Sequence, residues 1–193
     1  GLPGMPNLHS HAFQRGMAGL SERRGPSSDS FWIWRDIMYR FVGRMTPDDV
    51  RVIATLAYVE MLESGFTRVG EFHYVHHDSH GQHYTDLAEM SGAVLAAAAD
   101  SGIGMTLLPV LYSYAGFGAQ PPQPAQARFI LDIDQYARLL EGAAAHASAL
   151  PDAVVGVAPH SLRAVSPEQL RALPALAQDR PFHIHIAEQV REV

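Results

Sequence analysis

No cysteine occurs in the 193 residues, which excludes disulfide staples and thiolate metal ligands and leaves imidazole and carboxylate to hold any metal. That absence is compatible with a cytoplasmic location. No run of about 18 apolar residues is present, so nothing reads as a membrane-spanning helix. Basic residues are also few. With 14 Lys and Arg against 20 Asp and Glu, the net charge of −6 offers little to a phosphate backbone. Neither nucleic acid nor a membrane is therefore an expected partner. No strand-like segment leads into a glycine-rich phosphate loop. No signal peptide opens the chain either. Gly1-Leu2-Pro3-Gly4 reads as a turn entering a strand, so the sequence is expected to begin inside a longer protein.

What is present is a composition suited to a packed core, 47% hydrophobic and 18% charged. Strand-like apolar runs alternate with helix-like segments, the pattern of an α/β fold whose parallel strands are joined by helical crossovers. Residues 4–8 read as a first strand, followed by a long aromatic-bearing segment through Arg44 in which Phe31, Trp32 and Trp34 are expected to pack. Thr46-Pro47-Asp48-Asp49 then supplies an N-cap, a proline at the first helical position and two acids in the first turn, with Gly65 as the stop. Residues 66–74 and 103–112 read as the second and third strands, and 84–101 as the helix between them. The proline-rich stretch 116–126 reads as a loop, 132–150 as a helix, and 153–159 as the fourth strand. Ser166-Pro167-Glu168 opens a helix that Pro174 should bend or divide, and 181–186 reads as the fifth strand. An open doubly wound sheet and a barrel both fit five such strands. The missing phosphate loop, and polar residues clustered at the C-terminal ends of strands one, two, four and five, favour a (β/α)8 TIM-type barrel. Residues 1–193 would form one partial barrel domain carrying about strands 1–5 and their helices.

The polar clusters carry chemistry. In Asn7-Leu8-His9-Ser10-His11 two histidines stand two apart at a strand end, so the strand's period points both imidazoles to one side, a half-site for zinc or iron. The pair alone reads equally well as two ordinary polar histidines at a strand–loop junction. Phe182-His183-Ile184-His185-Ile186-Ala187-Glu188 repeats the spacing at the fifth strand and adds a carboxylate three residues beyond His185. A hydrolytic metal site needs few protein ligands, an open position for water and a group to move protons, and Glu188 is placed to be that group. Arg163 can bind a carboxylate in a two-toothed fashion, with His160 and Tyr74 adding hydrogen bonds. The histidine-rich tract His73, His76, His77, His80 and His83 is read as a loop after strand two and not as a second metal site; His146 is given no role.

The nine residues Pro3 to His11 resemble the strand-one signature of the amidohydrolase superfamily, and His183-Ile184-His185-Ile186-Ala187-Glu188 resembles strand five of its deaminase branch. Ala12 to Leu20, Gly70-Glu71-Phe72-His73-Tyr74 and Val157 to Arg163 are similar, within that branch, to the formimidoylglutamate deiminases. The resemblance implies one zinc per chain, with ferrous iron as the alternative, held by His9, His11, His185 and an aspartate of the eighth strand. It also implies Glu188 as proton shuttle, a sixth-strand histidine, and a small β-domain built partly from N-terminal residues. The aspartate, the sixth-strand histidine and strands 6–8 are expected beyond Val193, and the β-domain before Gly1.

The implied reaction is hydrolytic deimination in histidine degradation: water activated at the metal attacks a formimino carbon, and Glu188 returns protons to nitrogen so that ammonia leaves. Tyr74, His160 and Arg163 would grip the α-carboxylate, with Gln14 near the formimino end. The expected partner is thus a small molecule bearing carboxylates, and a homodimer is compatible with the sequence. Two rivals stay open: deamination of an aminated heterocycle by the same machinery, and an inactive metal-binding fragment.

Overall fold

A computed structural model describes residues 1–20, 31–188 and 190–193, the side chains of residues 31–33 excepted. Strands β1 (Met5–Ser10), β2 (Phe66–His73) and β3 (Gly104–Leu111) lie side by side and parallel. The predicted fourth strand forms as two short pieces, β4 (Val154–Val155) and β5 (Ala158–Pro159), both parallel to β3. The break falls at Gly156, where a Cβ would stand 2.6 Å from Leu108 Cδ2 and 2.7 Å from the Pro181 carbonyl oxygen, so the neighbouring chain can approach only a glycine. Residues 181–186 follow along the same edge through single parallel bridges, Val157 to Phe182 and Ser161 to His185, in place of a continuous ladder.

Strand neighbours follow chain order without a reversal. A doubly wound sheet reverses its order at the switch point where ligands bind, whereas a barrel adds strands in sequence. The observed order is that of an arc of a (β/α) barrel, the architecture the sequence favoured. The sheet is covered on both faces, as a parallel sheet must be: Val69, Phe72, Leu107, Leu108 and Val157 are all at or below 2% exposure.

Helix α1 (Phe31–Val42) occupies part of the segment that the sequence reading left without an element. Trp34 packs half-buried against the core as expected, while the side chains of Phe31 and Trp32 fall outside the described residues. Helix α2 (Pro47–Glu63) starts where its cap predicts: the Thr46 hydroxyl accepts from the Asp49 amide at 3.2 Å, and the Asp49 carboxylate accepts from the Thr46 amide at 2.9 Å. Helix α3 (Glu89–Ser101) begins later than the predicted residue 84, because the Asp86 carboxylate accepts the Ala88 amide at 2.8 Å and holds a turn ahead of it. Asp132 caps α4 (Ile133–Ala147). Helix α5 (Pro167–Ala177) runs through Pro174 without being divided there. The ladder bond that proline removes lies in the last turn, and its own carbonyl still accepts the Gln178 amide at 3.1 Å.

Of the histidine-rich tract, His73 ends β2 and His76, His77, His80 and His83 lie in the loop after it, as expected, but the loop is not solvated throughout. His73, His76 and His77 are buried to 2% exposure or less, and only His80 and His83 are exposed. The His76 and His77 rings bond the carbonyls of Val110 and Ile130 at 2.9 and 2.7 Å, so they tie β2 to its neighbours.

Candidate metal centre and its cavity

β1 presents His9 and His11 at its C-terminal end, and the bridge from Ser161 to His185 brings the third imidazole alongside. The Nε2 atom of His9 stands 3.1 Å from that of His11 and 3.0 Å from that of His185. His11 Nδ1–H donates to the Phe72 carbonyl at 2.8 Å, which fixes its tautomer and leaves the Nε2 lone pair turned into the cluster. Lone pairs so close repel unless a cation or a shared proton lies between them. For comparison, Zn–N bonds of about 2.0–2.1 Å in a tetrahedral site put ligand nitrogens roughly 3.3 Å apart. Burial pulls His11 down to about 4 and His185 to about 3, the latter helped by repulsion from His11 and His9, so both imidazoles are neutral at pH 7, the ligand form. Among the described residues these three form the one group of histidine or acidic side chains whose donor atoms converge this closely. Three imidazoles fit zinc or ferrous iron and leave coordination positions open.

Two residues of the sequence reading acquire supporting parts here. His183 places Nε2 2.9 Å from His9 Nδ1, the contact that orients His9. Glu71, fully buried in β2, accepts the Ala12 amide at 2.7 Å and pins the turn that follows His11.

The cluster forms one end of a cavity of about 630 Å³, a size suited to a small organic molecule. Gln14, Tyr74, His160, Arg163 and Glu188 all line it together with His11 and His185, so every predicted site residue except His9 borders one space. The Gln14 amide donates to the Tyr74 hydroxyl at 3.2 Å. His160 is buried beside Tyr112, its ring 4.5 Å away, and beside His185 at 4.9 Å. Arg163 is only 9% exposed, and each of its terminal nitrogens holds a carboxylate: one that of Glu188, the other that of Glu192 at 2.6 Å. The predicted proton shuttle and the predicted carboxylate clamp are therefore paired with one another.

The sequence reading missed the opposite wall, formed by Trp34, Arg35, Met38 and Tyr39 of α1. Its signal was available, since 34 with 38 and 35 with 39 stand at the helical i, i+4 spacing.

With this geometry in hand, comparison with known proteins places the chain. It is 54% identical to formimidoylglutamate deiminase of Pseudomonas aeruginosa across all of its own length and 42% of that protein's. It is 28% identical to 5-methylthioadenosine/S-adenosylhomocysteine deaminase of Haloarcula marismortui, covering 38% of it. A crystal structure of an amidohydrolase from Brucella melitensis superposes with a TM-score of 0.94 at 57% identity, over 98% of this chain and 42% of that one. The chain thus spans about two fifths of the length of these relatives. The Amidohydrolase family model matches residues 2–193, and the chain belongs to that family.

Proposed function

We propose that the protein containing this chain hydrolyses N-formimidoyl-L-glutamate to N-formyl-L-glutamate and ammonia, a step of histidine degradation, with one zinc ion per chain. The observation that carries the reading is the cavity itself, with three neutral imidazoles at one side and a buried arginine already holding two carboxylates at another. The 54% identity to a formimidoylglutamate deiminase supports the same substrate.

His9, His11 and His185 would hold the ion, His183 and the Phe72 carbonyl orienting two of them. A divalent metal there supplies Lewis-acid polarisation and a water acidic enough to lose a proton near neutral pH. This chain's own side chains would contribute as follows. Arg163 exchanges Glu188 and Glu192 for a substrate carboxylate, a like-for-like replacement that needs no new desolvation of the guanidinium. The exchange frees Glu188 to carry protons from the attacking water to the departing nitrogen. Tyr74 and His160 steady the same carboxylate, Gln14 meets the formimino group, and Arg35 on the facing wall offers a cation to the second carboxylate. In balance, one water adds to the C=N carbon, the carbon–nitrogen bond breaks, and ammonia leaves with the formyl oxygen taken from water.

The aromatic wall of Trp34, Tyr39 and Phe117, together with the likeness to an adenosine-derivative deaminase, favours a heterocycle as the second reading. Ammonia release by the full-length zinc-loaded protein separates the two. N-formimidoyl-L-glutamate should be turned over and adenosine or guanine not, and Arg163→Met should raise KM by about 10- to 100-fold, the loss of a charged hydrogen-bonded pair. Turnover of the heterocycles alone would replace the first reading by the second; a metal-loaded protein that turns over none of them would be the inactive binder.

A further inference from the structure

A single buried guanidinium fastens the wall that the metal ligands do not build. Arg128 is 4% exposed, and no carboxylate among the described residues lies within ion-pairing distance of it. Its side chain hydrogen-bonds the Tyr84 hydroxyl, and the rest of its contacts are to three backbone carbonyls. Nε donates to His77 at 2.9 Å, Nη2 to Met45 at 2.8 Å, and Nη1 to Val42. Val42 is the last residue of α1, and Met45 immediately precedes the cap of α2. The amides of His76 and His77 return the contact by donating to the Arg128 carbonyl at 2.9 and 3.1 Å.

The last carbonyls of a helix have no partners inside it, and they form the negative end of its dipole. Of the three acceptors Val42 is such a helix-end carbonyl, and a planar fork of donors reaches it together with those of Met45 and His77; a lysine ammonium, with its donors on one atom, cannot span acceptors on separate strands of chain. The same segment grips the cavity a second time. Buried Gln126 donates to the Tyr112 hydroxyl at 2.9 Å, and Phe129 packs edge-on against Tyr74 with ring centroids 5.2 Å apart. Residues 126–129 thus join the barrel strands on one side to the end of α1 on the other.

We propose that Arg128 is a positioning residue that sets the substrate-binding wall of the cavity by latching the C-terminal end of α1 to the loop after β2. Among the described residues, the side chains that α1 gives the cavity are Trp34, Arg35, Met38 and Tyr39, and their placement depends on where that helix end is held. None of the three converging histidines comes from α1, and neither does Glu188. Loosening the latch therefore weakens substrate binding and spares the metal.

The kinetic part of the test rests on the deiminase reading, and the exchange part does not. In the full-length zinc-loaded protein, Arg128→Lys should speed hydrogen exchange of the α1 amides at least 10-fold relative to those of β2 and β3. Metal content should be unchanged, and KM for N-formimidoyl-L-glutamate should rise at least 10-fold with kcat within about threefold. Exchange that quickens equally throughout, or α1 exchange at the wild-type rate, overturns the latch. Faster α1 exchange with an unchanged KM overturns its role in the wall. If the wild type releases no ammonia from this substrate, the deiminase reading fails and the exchange contrast alone decides the latch. Arg128→Gln, which keeps a planar donor, serves if the lysine variant does not fold; failure of both to fold would make Arg128 a core residue and end the proposal.

Discussion

Arg163 and Glu188 show how one residue's setting carries information that its neighbours in sequence do not. An arginine two residues after a buried serine reads equally as a solvated loop cation, yet here it is buried and bonded to two carboxylates at once. A guanidinium in that state is already paid for as an anion site, since its desolvation is complete before any substrate arrives. On the proposed reading, Glu188 is held away from proton transfer until a substrate carboxylate replaces it on Arg163. Glu188→Gln in the full-length protein should therefore keep its metal and lose roughly 10²- to 10⁴-fold in kcat, the usual worth of general acid–base help. Metal analysis beside steady-state kinetics checks this, and a kcat within a few-fold of wild type would remove Glu188 from the proton path.

Elements matter through how closely they approach. β1 carries two of the three converging histidines, and its distance from β2 is set at Gly70, where a Cβ would stand 2.7 Å from the Leu8 carbonyl oxygen. That oxygen is backbone, directly before His9, and cannot swing aside as a flexible side chain could. Gly70→Ala should push β1 outward, cost about 1–3 kcal/mol of stability, and weaken metal affinity because His9 and His11 move with the strand. Denaturation and metal titration of the same variant test both parts; unchanged affinity would mean that β1 relaxes elsewhere. The tie from Glu71 to the Ala12 amide and the bond from His11 to the Phe72 carbonyl place the same demand on β2, which acts as the template for the strand beside it.

Across the whole molecule, buried titratable groups set how stability varies with acidity. Burial holds His73 at about 4 and drives His76 well below its ordinary 6.5, each with the fold keeping the ring neutral. In that window the unfolded chain binds protons that the folded chain refuses. Their contribution is complete above about 6.5 and is lost as pH falls toward the folded values. Glu71 works the other way. Burial, opposed by the Ala12 amide bond, raises it to about 7 from 4.5, so its contribution is complete below about 4.5 and is lost as pH rises through about 7. His11, His160 and His185 are shifted the same way, and this set of histidines against one glutamate should leave a melting temperature that falls from pH 6.5 toward 4.5, with Glu71→Gln making the fall steeper. A thermal-melt series over that range checks both signs; a melting temperature that rises into acid would show that Glu71 outweighs the histidines.

Sequence by itself determined the parts governed by local rules. The cap at Thr46, the stop at Gly65, the alternation of strand and helix and the two His-x-His segments each follow from neighbours along the chain, and each stands in the structure where it was expected, apart from the divided fourth strand, the late start of α3 and the ragged fifth strand. The family likeness was legible for the same reason, since its motifs are contiguous. The unreversed strand order bears out the barrel that the strand-end polar residues and the missing phosphate loop favoured. Tertiary structure alone decided the rest. Only the fold brings His185 within 3.0 Å of His9 across 176 positions of chain and sets Arg163 against Glu188. It also buries His73, His76 and His77, whose depth the loop reading left open. Composition and spacing report what a segment prefers, whereas burial and the meeting of distant side chains depend on which other segments arrive beside it.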